Sequence, residues 1–463
     1  MKKNTKRKFK GLSALALTSA LFLAACSGTG ATESEGSSSN SESEATSTVD
    51  ENATGEGQEI TFWHGMGGGA GEAVDELVSR FNEQNELNIT VKAEYQGSYD
   101  DTITKLKSAS LGNVGADLVQ IYEIGTSYMM DSGLITPMQD LITANDYDIS
   151  QIEPNIAAFY TVDEQLYSMP FNSSTPITYY NKDLFEAAGI EEVPETLSQI
   201  AEFQEALETE GGADMAISLQ IYGWFVEQFI AKQGGDYANN ADGREDIATE
   251  VAFNENDEIT KLLTEWKDLY ESGAAPNVGR TGGQPEFVAG QSAMTFGSTA
   301  SLKTILNEVD GKFEVGTAYL PKVSAEDEGG VSIGGASLWA IDNEDSEKAQ
   351  ATWEFVEFLI SPESQAYWNQ QTGYFPITTA AHEEEVFKEN MAEFPQFQTA
   401  IDQLHDATPK DQGALLGVFP EARQIIETEI ENMLNNDVSP EDTAAAMTEQ
   451  INASIENYNL VNN

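Results

Sequence analysis

The chain is 463 residues long, with 23 Lys and Arg against 78 Asp and Glu, and its formal charge at pH 7 is −55. Such a surface repels nucleic acid and anionic lipid headgroups, which excludes a DNA- or RNA-binding role. Hydrophobic residues make up 40% and include 21 Phe and 6 Trp, enough for large cores, so the acidity belongs to a folded surface and not to disorder.

Lys2, Lys3, Lys6, Arg7, Lys8 and Lys10 form a basic head, an apolar run follows from Leu12 to Phe22, and Leu23-Ala24-Ala25 leads to Cys26, the single cysteine. This order predicts a secretory signal over residues 1–25. The apolar run is too short for a membrane span, which takes about 20 apolar residues. Leu-Ala-Ala-Cys resembles the lipobox of bacterial lipoproteins, where the cysteine is diacylated and becomes the new N-terminus; a plain signal peptide with a chance cysteine is the alternative. The resemblance implies a protein lipid-anchored to the outer face of the cell membrane, with no thiol or disulfide left in its mature part. That part holds 17 basic against 78 acidic residues, a net charge of −61. Self-repulsion on this scale is eased where salt shortens the Debye length.

Residues 26–58 read as an acidic tether. Ser27 to Gln58 is rich in Ser, Thr, Gly and Glu without an aromatic residue or any Lys or Arg, and it carries Glu33, Glu35, Glu42, Glu44, Asp50, Glu51 and Glu56. Low hydrophobicity with like charge predicts a flexible coil spanning roughly 30 Å. From Glu59 the pattern is that of folded protein, and about 400 residues predict two lobes or more. Ile60-Thr61-Phe62-Trp63 reads as a short strand, Gly65 to Gly71 as a turn, and Ala73, Val74, Leu77, Val78 and Phe81 as one apolar helical face. Leu118 to Tyr122 reads as a buried strand. Thr196 with Gln199 forms a capping-box pattern after Pro194-Glu195, and Ser439-Pro440-Glu441-Asp442 starts a last Ala-rich helix. Repeated strand–helix units predict α/β lobes with helices covering mostly parallel sheets.

Several motifs fail on inspection. Gly65-Met66-Gly67-Gly68-Gly69-Ala70-Gly71 lacks the G-x-G-x-x-G spacing and reads as a turn whose helix N-terminus can face a cleft. No G-x-x-x-x-G-K-[ST] is present for nucleotide phosphates. His382-Glu383-Glu384-Glu385-Val386 lacks the second histidine of a zinc helix and reads as a solvated charge run. With His64, His382 and His405 the only histidines, nothing supports a Ser-His-Asp hydrolase. Neither a cofactor nor a metal site is predicted.

Phe171-Asn172-Ser173-Ser174-Thr175-Pro176, followed by Tyr179-Tyr180-Asn181-Lys182-Asp183-Leu184-Phe185, is similar to the crossover segment of extracellular solute-binding proteins of ABC importers. Further blocks keep the same order: Phe62-Trp63-His64, Gly97-Ser98-Tyr99, Gln120 to Thr126, Ala293-Met294-Thr295, Ile333 to Trp339 and Thr372 to Thr378. Any one block is weak, but together they extend from about Ile60 to beyond Arg423, and they resemble most the glycerol-3-phosphate-binding branch. The resemblance implies a two-lobed α/β periplasmic-binding-protein-like fold with the ligand between the lobes and several hinge crossings. Lobe one is expected over 59–172 plus 333–372, and lobe two over 173–332 plus 373–463. A monomer that closes on its ligand and is presented to a membrane permease is expected.

The resemblance also implies a ligand site. A glycerol phosphate needs a cation, neutral donors, a hydroxyl acceptor and an apolar face. Arg423, in Phe419-Pro420-Glu421-Ala422-Arg423, matches the phosphate-binding arginine, and its guanidinium can fork onto two oxygens. Tyr99, Ser174, Ser298 and Tyr374 match hydroxyl donors, Gly335 a backbone N–H with free approach, and Glu123 the acceptor for glycerol hydroxyls. Trp224 is the apolar wall, where this chain departs from the family by having one tryptophan in place of two. A charge of −61 works against capture of an anion. A neutral-sugar ligand on the same fold is therefore one alternative, and a secreted lipoprotein hydrolase, which would need an acid–base pair or a metal cluster, is another.

Overall fold

The computed structural model describes residues 49–462, apart from 51, 111–113 and 409–411. The signal segment, Cys26 and most of the tether lie outside these residues. Ten strands build two main sheets: β1 (Glu59–His64), β2 (Thr90–Tyr95), β3 (Leu118–Tyr122), β4 (Ile135–Thr136), β5 (Met169–Ser174), β6 (Pro176–Asn181), β7 (Met215–Ser218), β8 (Ser292–Ser298), β9 (Val315–Tyr319) and β10 (Gly334–Ile341). The first sheet runs β2-β1-β3-β10-β4, with β5 also paired to β10; the second runs β9-β6-β8-β7. The helices around them include α1 (Gly68–Gln84), α2 (Tyr99–Ala109), α3 (Gly223–Lys232), α4 (Glu258–Glu271), α5 (Ser346–Ile360), α6 (Pro362–Thr372), α7 (Phe419–Asn436) and α8 (Pro440–Asn462).

The local signals produce the expected elements. α1 buries Ala73, Val74, Leu77, Val78 and Phe81, an apolar stripe that only a helix presents on one side. β3 is buried on both faces, as its unbroken apolar run requires. Thr196 Oγ1 accepts the Gln199 N–H at 3.4 Å, and Ser439 Oγ accepts the Asp442 N–H at 3.1 Å; each satisfies an otherwise orphaned donor at a helix start. In lobe one, α1, α5 and α6 cover the first sheet around Phe62, Phe355, Trp353 and Trp368. In lobe two, Phe225, Phe229, Trp266 and Phe296 fill one side of the second sheet, and Tyr179, Phe287 and Leu302 the other.

The chain crosses from β5 to β6 through Thr175 alone, inside the segment the sequence marks as the crossover. It re-enters lobe one at β10, whose Gly334 pairs with Ser174. A third strand of the hinge is fixed where the Phe375 N–H donates to the Ser173 carbonyl at 2.9 Å.

Three expectations need correction. The sheets are mixed and not mostly parallel: β1 is parallel to β2 and β3, but β10 runs antiparallel to β3, β4 and β5. The reason is that β10 arrives from lobe two and enters the middle of the first sheet from the hinge end. Second, Phe375, Ile377, Ala381, Ala400 and Leu404 are buried in the lobe-one core, so the stretch after 372 does not pass wholly to lobe two. The helices α7 and α8 pack on lobe-two helices, and Phe397 joins the lobe-two cluster of Tyr179, Phe287 and Leu302.

Third, the tether does not remain free up to Gln58. Thr54 and Gly55 donate backbone N–H groups to Glu347 Oε2 at 3.1 and 2.9 Å, and the Gly57 N–H donates to the Leu87 carbonyl at 2.8 Å. Gly55 has φ +68°, and a Cβ there would lie 2.7 Å from the Ala351 nitrogen, so the segment approaches α5 as only glycine can. A chain beginning at Glu59 loses these bonds. It should unfold at lower urea than one beginning at Ser47, by about 1–3 kcal/mol; equal midpoints would show that the docked segment contributes nothing.

Candidate functional site

Glu123 and Tyr99 follow the carboxyl ends of two lobe-one strands, where α/β sheets leave room for ligands. β3 ends at Tyr122 and turns at Glu123–Gly125. Gly125 permits that turn, since a Cβ there would meet Ile121 Cγ2 at 2.4 Å. Glu123, the first residue of the turn, is buried. Tyr99 opens α2 behind the capping box of Ser98 and Asp101, and its ring stacks on Tyr122 at 5.3 Å and 19°.

A polar array runs across lobe one beneath the cleft. Gln120 Oε1 accepts the Gly65 N–H at 2.9 Å, and Gln120 Nε2 donates to Asn172 Oδ1 at 2.7 Å. Asn172 Nδ2 donates to the Tyr99 hydroxyl at 2.8 Å, and that hydroxyl lies 3.2 Å from the Tyr374 hydroxyl. Burial, then the neighbouring Tyr374, raise the Tyr99 phenol well above its ordinary value, so it stays a neutral hydroxyl. Tyr374 is held by stacking on Trp368 at 5.8 Å and 11°. The sequence pointed to Tyr99 and Tyr374; it did not single out Gln120 or Asn172, which fix the direction of both hydroxyls.

The four residues around the hinge have separate roles. Ser174 is buried at the end of β5 and paired with Gly334. Trp224, on the first turn of α3, lies against Gly334, where a Cβ would meet its ring carbon Cζ2 at 2.6 Å. Its indole N–H has no hydrogen-bond partner among the described residues. Ser298 ends β8, and its Oγ accepts the Ala300 N–H at 3.2 Å, so it serves as a cap as well as a candidate donor. Gly335 has φ +102°, and a Cβ would stand 1.9 Å from the Asn172 carbonyl oxygen. Its glycine is therefore required by the close approach of β5, whatever the ligand.

Arg423 is 5% exposed on α7, and its surroundings differ from those of a waiting phosphate site. Its Nε and Nη2 donate to Glu227 Oε1 and Oε2 at 2.6 and 2.8 Å, a bidentate pair, and Nη2 also donates to Glu123 Oε1 at 2.6 Å. The first pair joins α3 to α7 within lobe two; the second crosses the cleft to lobe one. Burial alone would weaken the arginine's hold on its proton, but Glu227 and Glu123 more than offset it, and it stays a cation. Burial pushes the Glu227 carboxyl up from its ordinary value even with Arg423 pulling it down. One guanidinium and two carboxylates leave this cluster with a surplus negative charge.

Glu227 is the residue sequence reasoning missed. It lies three positions after Trp224, hence nearly one helical turn on, and its face of α3 was legible; that α7 packs there was not. Glycine again sets the geometry, since a Cβ at Gly223 would meet Arg423 Cγ at 2.8 Å.

Comparison with known proteins fits this architecture. A family profile described as bacterial extracellular solute-binding protein matches residues 76–396. The sn-glycerol-3-phosphate-binding periplasmic protein UgpB of Salmonella typhimurium is 33% identical over 409 residues, covering 85% of this chain and 92% of that protein. UgpB of Escherichia coli K12 is 33% identical over 411 residues, with the same coverages of 85% and 92%. Among solved structures, UgpB from Mycobacterium tuberculosis in complex with glycerophosphocholine superposes with a TM-score of 0.74 at 23% identity, covering 87% of this chain and 99% of that one. The cyclic α-maltosyl-1,6-maltose binding protein from Arthrobacter globiformis gives 0.70 at 22% identity, covering 86% and 99%.

Proposed function

The chain belongs to the bacterial extracellular solute-binding proteins, and from that premise we propose that it is the substrate-binding component of an ABC importer for glycerol-3-phosphate or a related glycerophosphodiester. The observation that carries the ligand class is Arg423 facing Glu123 across the cleft, beside the paired hydroxyls of Tyr99 and Tyr374. A guanidinium can fork onto phosphate oxygens, the hydroxyls donate to the remaining ones, and a carboxylate accepts from glycerol hydroxyls. Tyr99, Glu123, Ser174, Trp224, Ser298, Gly335, Tyr374 and Arg423 make up the proposed ligand-binding set. The role is capture without turnover, as a monomer delivering solute to a permease.

A panel of glycerol-3-phosphate, glycerophosphocholine, maltose and inorganic phosphate in a thermal-shift assay tests this, because a ligand that binds only the native state raises its melting temperature. A rise with the glycerol phosphates supports the reading. A rise with maltose alone replaces it with the neutral-sugar reading, which the full pairing of Arg423 with two carboxylates favours.

The anchor is part of the same proposal. With Cys26 diacylated, the tether holds the domain near the permease on the outer face of the membrane. Cys26→Ser should release the protein from cells, read by fractionation and immunoblotting. A mutant that stays with the membrane after a high-salt wash is anchored by something else.

A further inference from the structure

Lobe two touches lobe one at two further places outside the proposed ligand-binding set, and the first is prepared by a strained piece of backbone. Asn240, Ala241 and Asp242 have φ of 57°, 51° and 60°, and Gly243 has φ 72°. Four successive residues in the left-handed region form a turn that only the glycine adopts without strain. Its neighbours hold it in place. Asp242 Oδ1 accepts the Ala238 N–H at 2.8 Å, Asn240 Nδ2 donates to the Ile247 carbonyl at 2.8 Å, and the Leu415 N–H donates to the Asp242 carbonyl at 2.8 Å. Strain that the surroundings fix in this way gathers where function needs a side chain in one position.

The side chain this turn delivers is Arg244. Its Nη1 donates to the Phe159 carbonyl of lobe one at 3.1 Å, and its guanidinium carbon lies 5.1 Å from the centre of the Phe159 ring. Phe159 belongs to the buried core of lobe one. Its carbonyl is in the last turn of the helix Pro154–Tyr160, where carbonyls lack partners within the helix and a cation is favoured. Nε donates to the Gly413 carbonyl at 2.9 Å. All the hydrogen bonds of Arg244 among the described residues go to carbonyls. Burial lowers its pKa to about 10, with Asp242 pulling the other way, so it remains a cation at neutral pH. The second contact is on α8, where the Tyr458 hydroxyl donates to Asp131 Oδ2 of lobe one at 2.8 Å.

We propose that Arg244 and Tyr458 form a latch between the lobes, made when the cleft closes and broken when it opens, which sets how long a solute stays bound. Both bridges join residues that part when the lobes swing about the crossover at Thr175, so they stabilise the closed form and leave the open form unaffected. Closure brings two acidic surfaces together, and a guanidinium placed at the seam offsets part of their repulsion. Neither residue touches the solute in this scheme. They are positioning residues, and their role is independent of which solute the cleft takes.

The test is stopped-flow kinetics on the full mature chain with glycerophosphocholine, or with maltose if the cleft proves to take a sugar. In Arg244→Gln, dissociation should quicken by about ten- to a hundredfold, the loss expected for one hydrogen bond from a charged group, while association stays within about threefold of wild type. Tyr458→Phe removes a single hydroxyl and should quicken dissociation by about three- to tenfold. Arg244→Lys keeps the charge without the fork and should fall between Arg244→Gln and wild type. An Arg244→Gln protein that melts lower without solute, yet releases solute at the wild-type rate, makes Arg244 a structural brace and overturns the latch. If that variant does not fold, Tyr458→Phe decides by the same measurement, and unchanged release overturns the proposal. If wild type binds neither probe, both readings of the ligand fall while the latch is still tested by small-angle scattering of the solute-free chain. A larger radius of gyration in Tyr458→Phe than in wild type then supports it, and equal radii overturn it.

Discussion

Arg423→Ala is expected to weaken binding of a glycerol-phosphate ligand by roughly two to four decades, measured by calorimetry. Charge-assisted hydrogen bonds are worth about 1.5–3 kcal/mol each, and the variant loses a fork of two, which converts to that range. The sequence suggests that folding would survive, since a cleft arginine supports the ligand and not a core. Its burial argues otherwise: at 5% exposure it is the counterion of both Glu227 and Glu123. Removing one partner of a buried ion pair costs about 3–5 kcal/mol because the other charge stays behind. The unliganded variant should therefore also melt well below wild type, and lobe contact at Glu123 should loosen. Arg423→Lys keeps the charge without the fork and should recover stability more than affinity. Binding within about threefold of wild type in Arg423→Ala would move the phosphate elsewhere. Trp224→Ala, by comparison, should cost mainly packing, with the smaller effect on a phosphate-bearing ligand.

Gly335→Ala is expected to destabilise the protein by about 3 kcal/mol or more, from the strain of φ +102° and the overlap with Asn172 together. The clash is with a backbone carbonyl 1.9 Å away, so no side chain can turn aside to relieve it. β5 or β10 must shift, and Asn172 carries the Tyr99 hydroxyl with it. Urea unfolding gives the stability loss. Titration of whatever fraction folds should show weakened binding too, because the hydroxyl pair of Tyr99 and Tyr374 is built on that strand. An unchanged unfolding midpoint would mean that the two strands do not approach this closely.

Some of the protein was legible residue by residue. The strand at Leu118–Tyr122, the α1 stripe and the caps at Thr196 and Ser439 are local: each depends on residues within a turn or two of one another, and periodicity with hydrogen-bonding chemistry decides them. The crossover block was readable because it resembles a family segment.

What sequence alone left undecided depends on partners far apart in the chain. Arg423 reaches Glu227 and Glu123 across 196 and 300 positions. Asn172 reaches Tyr99 across 73, and the backbone at Gly55 reaches Glu347 across 292. No local pattern records such distances. Thus Glu227 looked like any other acid, Gly335 looked like a ligand contact before it looked like a packing requirement, and β10 gave no sign that it enters the first sheet antiparallel. The sequence determined which side chains were available and which elements would form. The tertiary structure decided which charges face each other in a buried cleft, and there the cost of desolvation makes every charge depend on its neighbours.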